Sequence, residues 1–155
     1  MKNVTETYPT IGRTVEAVIE VPKGNFIKRR TSGKIEFLFP FPCPFNYGSV
    51  RAFLGADGDF LDAAVLGPRL RRGSRVSVTV IGVIGMIDAG VPDNKLICSE
   101  KDIGELERSL ILLFFKFYAT CKGMINICRG FSGSSRCLGW QDARKTGEDP
   151  ESKAG

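Results

Sequence analysis

The stretch RVSVTVIGVIGM at residues 75–86 decides the fold class. It is crowded with valine and isoleucine, side chains that lose rotamer freedom in a helix and pack well on a pleated surface, so it reads as the longest strand of a sheet. Upstream the same chemistry recurs in shorter pieces. In TVEAVIEV (14–21), Val15, Ala17, Ile19 and Val21 alternate with Glu16, Val18 and Glu20, and Pro22 with Gly24 ends the run. KIEFLF (34–39) and NYGSVRAFL (46–54) flank a Pro-rich turn, PFPCP, while AAVL (63–66) and KLICS (95–99) read as further short strands. Downstream the period changes. Asp102, three residues before Glu105, gives a capping-box-like start, and Leu106, Leu110, Leu113, Phe114 and Phe117 recur at helical spacing to about Lys122.

Many short strands followed by one long helix predict an α+β domain. The expected form is a small closed or partly open β-barrel, OB-like and mostly antiparallel, with a long C-terminal amphipathic helix packed beside it. Residues 1–140 form this single domain, and Trp140 is expected to pack its last ordered turn onto the body. QDARKTGEDPESKAG (141–155) has no apolar face and reads as a mobile tail.

Composition narrows the function classes. A chain of 155 residues with 43% hydrophobic content builds one core. MKNVTETYPT carries no apolar run, so no secretory signal is read, and LILLFFKFYA (110–119) is short for a bilayer and contains Lys116. A cytoplasmic protein without a membrane partner is expected. The five cysteines (Cys43, Cys98, Cys121, Cys128, Cys137) form no C-x-x-C pair, and without any histidine they suggest reduced thiols rather than a zinc site. The net charge of +5 is spread along the chain, with a local run only at RLRRGSR (69–75), and implies no more than attraction for anions.

Against that positive balance, GADGDFLD (55–62) sets Asp57, Asp59 and Asp62 close together. Carboxylates this close raise one another's pKa values unless cations compensate, and an oxygen-only donor set favours Mg2+ or Mn2+. Calcium sensing does not fit: counting Asp57 as position 1 of an EF-hand, position 5 is Leu61 and position 12 is Pro68. A second acidic loop, MIDAGVPDNK (86–95), adds Asp88, Asp93 and Lys95. Either loop alone reads more readily as a plain turn. Together, with Glu20 and Lys28, they suggest several metal ions beside a cation, the arrangement phosphoryl transfer to water requires, gathered at the barrel mouth.

VIEVP with IK downstream, NYG, DGDFLD and MIDAGVPDNK together resemble the soluble family I inorganic pyrophosphatases, over residues 15–98 strongly and at residues 114–118 and Trp140 weakly. The resemblance implies Mg2+-dependent hydrolysis of pyrophosphate, with several metal ions and a homo-oligomeric assembly. It puts metal-site carboxylates at Asp57, Asp62, Asp88 and Asp93, with Glu20 acting through water, and the water-activating base at Asp59. Lys28, Tyr47, Lys95 and Tyr118 match phosphate-contacting positions. Five positions depart from the family pattern: Arg29 stands for an aromatic residue, Arg30 for a glutamate, Phe39 for an arginine, Cys43 for a tyrosine and Ala119 for a lysine. The aspartates are thus retained while the phosphate grip is thinned. Arg30, Arg51 and Lys122 are candidates for replacement charge, Arg30 as a partial substitute in substrate binding and Lys122 one helical turn beyond Tyr118.

Two other functions compete. A basic barrel can bind single-stranded nucleic acid, although phosphates would meet the acidic loops. A pyrophosphatase-like chain with reduced or lost turnover could serve as a binding or regulatory protein, for which Phe39, Cys43 and Ala119 are the support.

Overall fold

A computed structural model describes residues 9, 11–25, 27–29, 35–38, 42–54, 58–130 and 133–141, the side chains of 27–29 and 35–38 excepted. In chain order the elements are β1 (Thr14–Val21), β2 (Ile27–Arg29), β3 (Ile35–Leu38), β4 (Asn46–Leu54), β5 (Phe60–Val65), β6 (Arg75–Asp88), β7 (Val91–Pro92), β8 (Lys95–Cys98), α1 (Glu105–Cys128) and β9 (Arg136–Gln141). The order β1-β4-β5-β8-β6 returns to β1 through a further β1–β6 pairing, which closes a five-stranded barrel. Within it only β5 and β8 run parallel. Every strand expected from sequence is present; β2, β7 and β9 are additional.

Period-two alternation gives the barrel wall two apolar faces. The inner one takes Val15, Ala17 and Ile19 from β1, Leu61, Ala63 and Val65 from β5, and Leu96 and Cys98 from β8, side chains small enough to fill a narrow barrel. The outer one meets α1 in a second, aromatic core. Phe45 lies 4.9 Å edge-on from Phe114 and 5.6 Å stacked from Phe115.

The helix corrects three expectations. Its buried stripe is Ile111, Phe114, Phe115, Tyr118 and Ala119, whereas Leu106, Leu110, Leu113 and Phe117 are exposed, Leu106 to 74%. The helix is apolar on both sides, so helical spacing alone does not select the face that packs. Gly104 is the N-cap and makes no side-chain bond, so Asp102 does not cap it, and the helix runs past Lys122 to Cys128, where Gly130 at φ 76° follows. The stretch read as short for a bilayer thereby belongs to a 24-residue helix of mean hydropathy 1.4, long and apolar enough by length and composition to cross a membrane. One face of it packs on the barrel through Ile111, Phe114, Phe115, Tyr118 and Ala119.

β9, residues 136–141, corrects the expectations at Trp140 and Gln141. This segment pairs antiparallel with β6 rather than forming a turn, and Gln141, expected to open the tail, ends the strand; residues 142–155 lie outside the described residues. Trp140 fastens the helix to the wall. Its ring fills the space over Gly82, where a Cβ would come within 2.4 Å, its Nε1 donates to the Arg108 carbonyl at 3.2 Å, and the Arg108 guanidinium lies 4.2 Å from the ring centroid.

Cys43 and Cys98 are buried fillers whose thiols burial pushes up to about 12, so neither is reactive near neutrality. Gly48 lets β1 approach β4: a Cβ there would sit 2.1 Å from the Val18 carbonyl oxygen. Gly48→Ala is therefore expected to destabilise the fold by about 1–3 kcal/mol, the usual cost of overpacking. Thermal unfolding measures this, and an unchanged midpoint would show that β1 gives way freely.

Candidate active site

Asp62 sits between Leu61 and Ala63, both on the barrel's inner face, so its side chain leaves the outer face, towards α1. The same parity applies to Tyr47, Ser49 and Lys95. The expected meeting at the barrel mouth is thus replaced by a site between the barrel wall and the helix.

Lys95 is the centre of it. The parallel register sets Asp62 opposite Lys95, and the ammonium, with no exposure, donates to Asp62 Oδ2 at 2.5 Å and Asp93 Oδ2 at 2.8 Å. Burial alone would lower its pKa, but the two carboxylates outweigh that and hold it well above the usual lysine value. Asp93 is fixed in turn by its backbone N–H, which donates to the Met86 carbonyl at 2.8 Å. Tyr47 is fully buried, and burial first, then Asp62, Tyr118 and Asp93, raise its phenol well above 10, so it stays a donor. Tyr118, on the buried face of α1, packs its ring 6.2 Å from that of Phe114 and 5.9 Å from the Lys122 ammonium.

The other residues of NYG build rather than react. Asn46 is fully buried; its Oδ1 accepts from the backbone N–H groups of Lys23 (3.0 Å) and Leu70 (2.8 Å), and its Nδ2 donates to the carbonyls of Val65 (3.3 Å) and Pro68 (2.9 Å). One amide thereby ties together the turns after β1 and β5.

Asp59 is exposed on the bend that leads into β5, after Gly58 at φ 83°. Glu20 is half-buried where the β1–β4 register shifts between Ile19 and Val21. Lys28 lies in β2 opposite Phe37, with its side chain outside the description; Asp57 and Arg30 lie outside the described residues.

A sequence profile described as inorganic pyrophosphatase matches residues 17–126. The chain belongs to the inorganic pyrophosphatase family. It is 33% identical over 126 residues to the inorganic pyrophosphatase of Gluconobacter oxydans, covering 67% of this chain and 73% of that one. The Malacoplasma penetrans enzyme is 30% identical over 141 residues, covering 78% of each. Among solved structures, the Thermus thermophilus inorganic pyrophosphatase superposes with a TM-score of 0.67 at 26% identity over 92% of both chains. The one from Coxiella burnetii reaches 0.69 at 24% identity, over 94% of this chain and 95% of that one, and shows likeness of fold.

As a member of this pyrophosphatase family the chain calls for divalent metal, and its donors fit one. Lys95 neutralises only one of the two carboxylates on it, leaving Asp62 and Asp93, both oxygen donors, with a net negative charge. Ser49 stands directly across from Asp62, and its hydroxyl is buried with no hydrogen-bond partner among the described residues. Such an atom calls for water or another polar ligand on the face that carries the carboxylates. No three acidic, cysteine or histidine side chains form a ready-made cage among the described residues.

Asp88 is set apart. Lys122 Nζ donates to its Oδ2 at 2.9 Å, while Asn126 Nδ2 (2.7 Å) and Ser135 Oγ (3.2 Å) donate to its Oδ1. Burial pushes this carboxyl up, but these donors together bring it below the usual aspartate value. Cys43 and Ala119, where the family pattern has tyrosine and lysine, are buried in the core beside α1. Sequence reasoning missed Ser49, Asn126 and Ser135. Alternation would have placed Ser49 on the face of Tyr47; nothing in the composition of residues 130–135 marks Ser135.

Proposed function

We propose that this chain hydrolyses inorganic pyrophosphate to two phosphates, with Mg2+ as its working ion and Mn2+ as a substitute. The observation that carries this is the fully buried Lys95 held by Asp62 and Asp93 inside a pyrophosphatase-family domain. Asp57, Asp62 and Asp93, with Glu20 acting through water, would hold the metal, which when bound would supply Lewis-acid activation of water and screening of phosphate charge. Asp59, exposed on the bend before β5, takes the proton of the attacking water. Lys95, already paired, is the fixed positive charge facing the substrate oxygens. Tyr47 and Tyr118 donate phenolic hydrogen bonds, and Lys28 and Arg30 extend the grip from the segment around β2.

Because every assigned ligand is an oxygen donor, full chelation is expected to abolish phosphate release, with activity returning on addition of Mg2+. Undiminished turnover in excess chelator would remove the metal from the mechanism.

A cytoplasmic homo-oligomer is the assembly this reading favours. Leu106, Leu110 and Leu113, at 74%, 56% and 63% exposure, form an apolar helix face, and the last two line a groove of about 590 Å3 together with Pro44 and Leu66. Light scattering is expected to give a mass of more than one chain, reduced in Leu113→Asp. A monomeric wild-type chain would contradict that assembly.

A further inference from the structure

We propose that in this chain the Lys122 ammonium, and not a divalent cation, is the counter-charge of Asp88. The observation is a cage built from three segments. The end of β6 supplies Asp88, the second half of α1 supplies Lys122 and Asn126, and the segment leading into β9 supplies Ser135. Both carboxylate oxygens are used, one by the ammonium and the other by two neutral donors. The donors are also bound to one another: Asn126 Nδ2 donates to Ser135 Oγ at 3.1 Å, and Ser135 Oγ accepts from the Ala89 N–H at 3.1 Å.

The backbone is fitted to hold this arrangement. Gly90 N donates to the Ser134 carbonyl at 2.9 Å, and Gly133, at φ 104°, lies so close to the turn after Asp88 that a Cβ would fall 2.6 Å from the Ala89 carbonyl. Ala89 itself takes a positive φ of 50°, a conformation that an alanine adopts only when its surroundings impose it. Asp88 and Lys122 are both half-buried, at 25% and 22% side-chain exposure, so a metal entering at Asp88 would leave a partly desolvated ammonium without its partner. Asp88 therefore differs from Asp62 and Asp93, whose shared lysine leaves a net negative charge for a metal to meet. A cation tethered to the helix is present at every metal concentration and loses no translational freedom on pairing.

The proposal rests on the metal-dependent reading of the site and is tested by counting Mn2+ bound per chain, by calorimetric and paramagnetic-resonance titration without substrate. Asp88→Asn is expected to bind as many ions as the wild-type chain, and Lys122→Met, which frees the carboxylate, to bind one more. Loss of one ion in Asp88→Asn overturns the proposal, as does an unchanged count in a folded Lys122→Met. If Lys122→Met does not fold, the Asp88→Asn count decides alone. No Mn2+ bound by any of the chains, wild type included, overturns the metal-dependent reading as well, a result distinct from loss of a single ion.

Discussion

Asp59→Asn is expected to lower turnover by about two or more orders of magnitude while the fold melts at its usual temperature. Asparagine keeps the shape and cannot accept a proton, so only the base function is removed. Asp59 is exposed and lies outside both apolar cores, where substitutions change stability by only about 0.5 kcal/mol. Its bend opens β5, the strand that carries Asp62 to Lys95, so Asp59 lies three residues before Asp62 in the chain. Steady-state kinetics with parallel thermal melts separate chemistry from folding. A wild-type rate would move the base elsewhere, with Glu20 the next candidate.

Lys95→Met is expected to show the largest loss of stability. Removing one member of a buried ion pair leaves uncompensated charge, a change that costs about 3–5 kcal/mol, and here two carboxylates lose the same partner. For a domain of this size that corresponds to a midpoint lowered by roughly 10 °C or more. The drop is expected to be deepest in chelator and smaller in Mg2+, because a divalent ion can neutralise Asp62 and Asp93 in place of the lost ammonium. An unchanged midpoint in chelator would show that these carboxylates do not depend on Lys95.

Particular residues show why sequence exposes some of this molecule and hides the rest. Strands are legible because valine and isoleucine pack well on a pleated surface: β1 appears where alternation puts it, and β6 where the run of β-branched residues does. The helix was legible in kind but not in orientation: Leu110 and Ile111 are equally apolar, and only the shape of the barrel decides that Ile111 packs while Leu110 stays exposed. β9 was hidden because its pairing is entirely with β6, residues far away in the chain, while Gly139 and the serines before it look like loop. Asp62, Asp93 and Lys95 stood out through their spacing, yet whether they faced the mouth or the helix depended on counting parity from Leu61. The partners of Asp88 come from two further segments, and a contact made only by tertiary folding leaves no local mark.

The central claim, that this chain is a metal-dependent pyrophosphate hydrolase despite its thinned phosphate grip, is tested most directly by incubating the purified chain with pyrophosphate and Mg2+ and measuring orthophosphate. Release of two phosphates per pyrophosphate, abolished by chelator and strongly reduced in Asp59→Asn, is the expected result. No release above the uncatalysed background from a folded, Mg2+-loaded chain would contradict it.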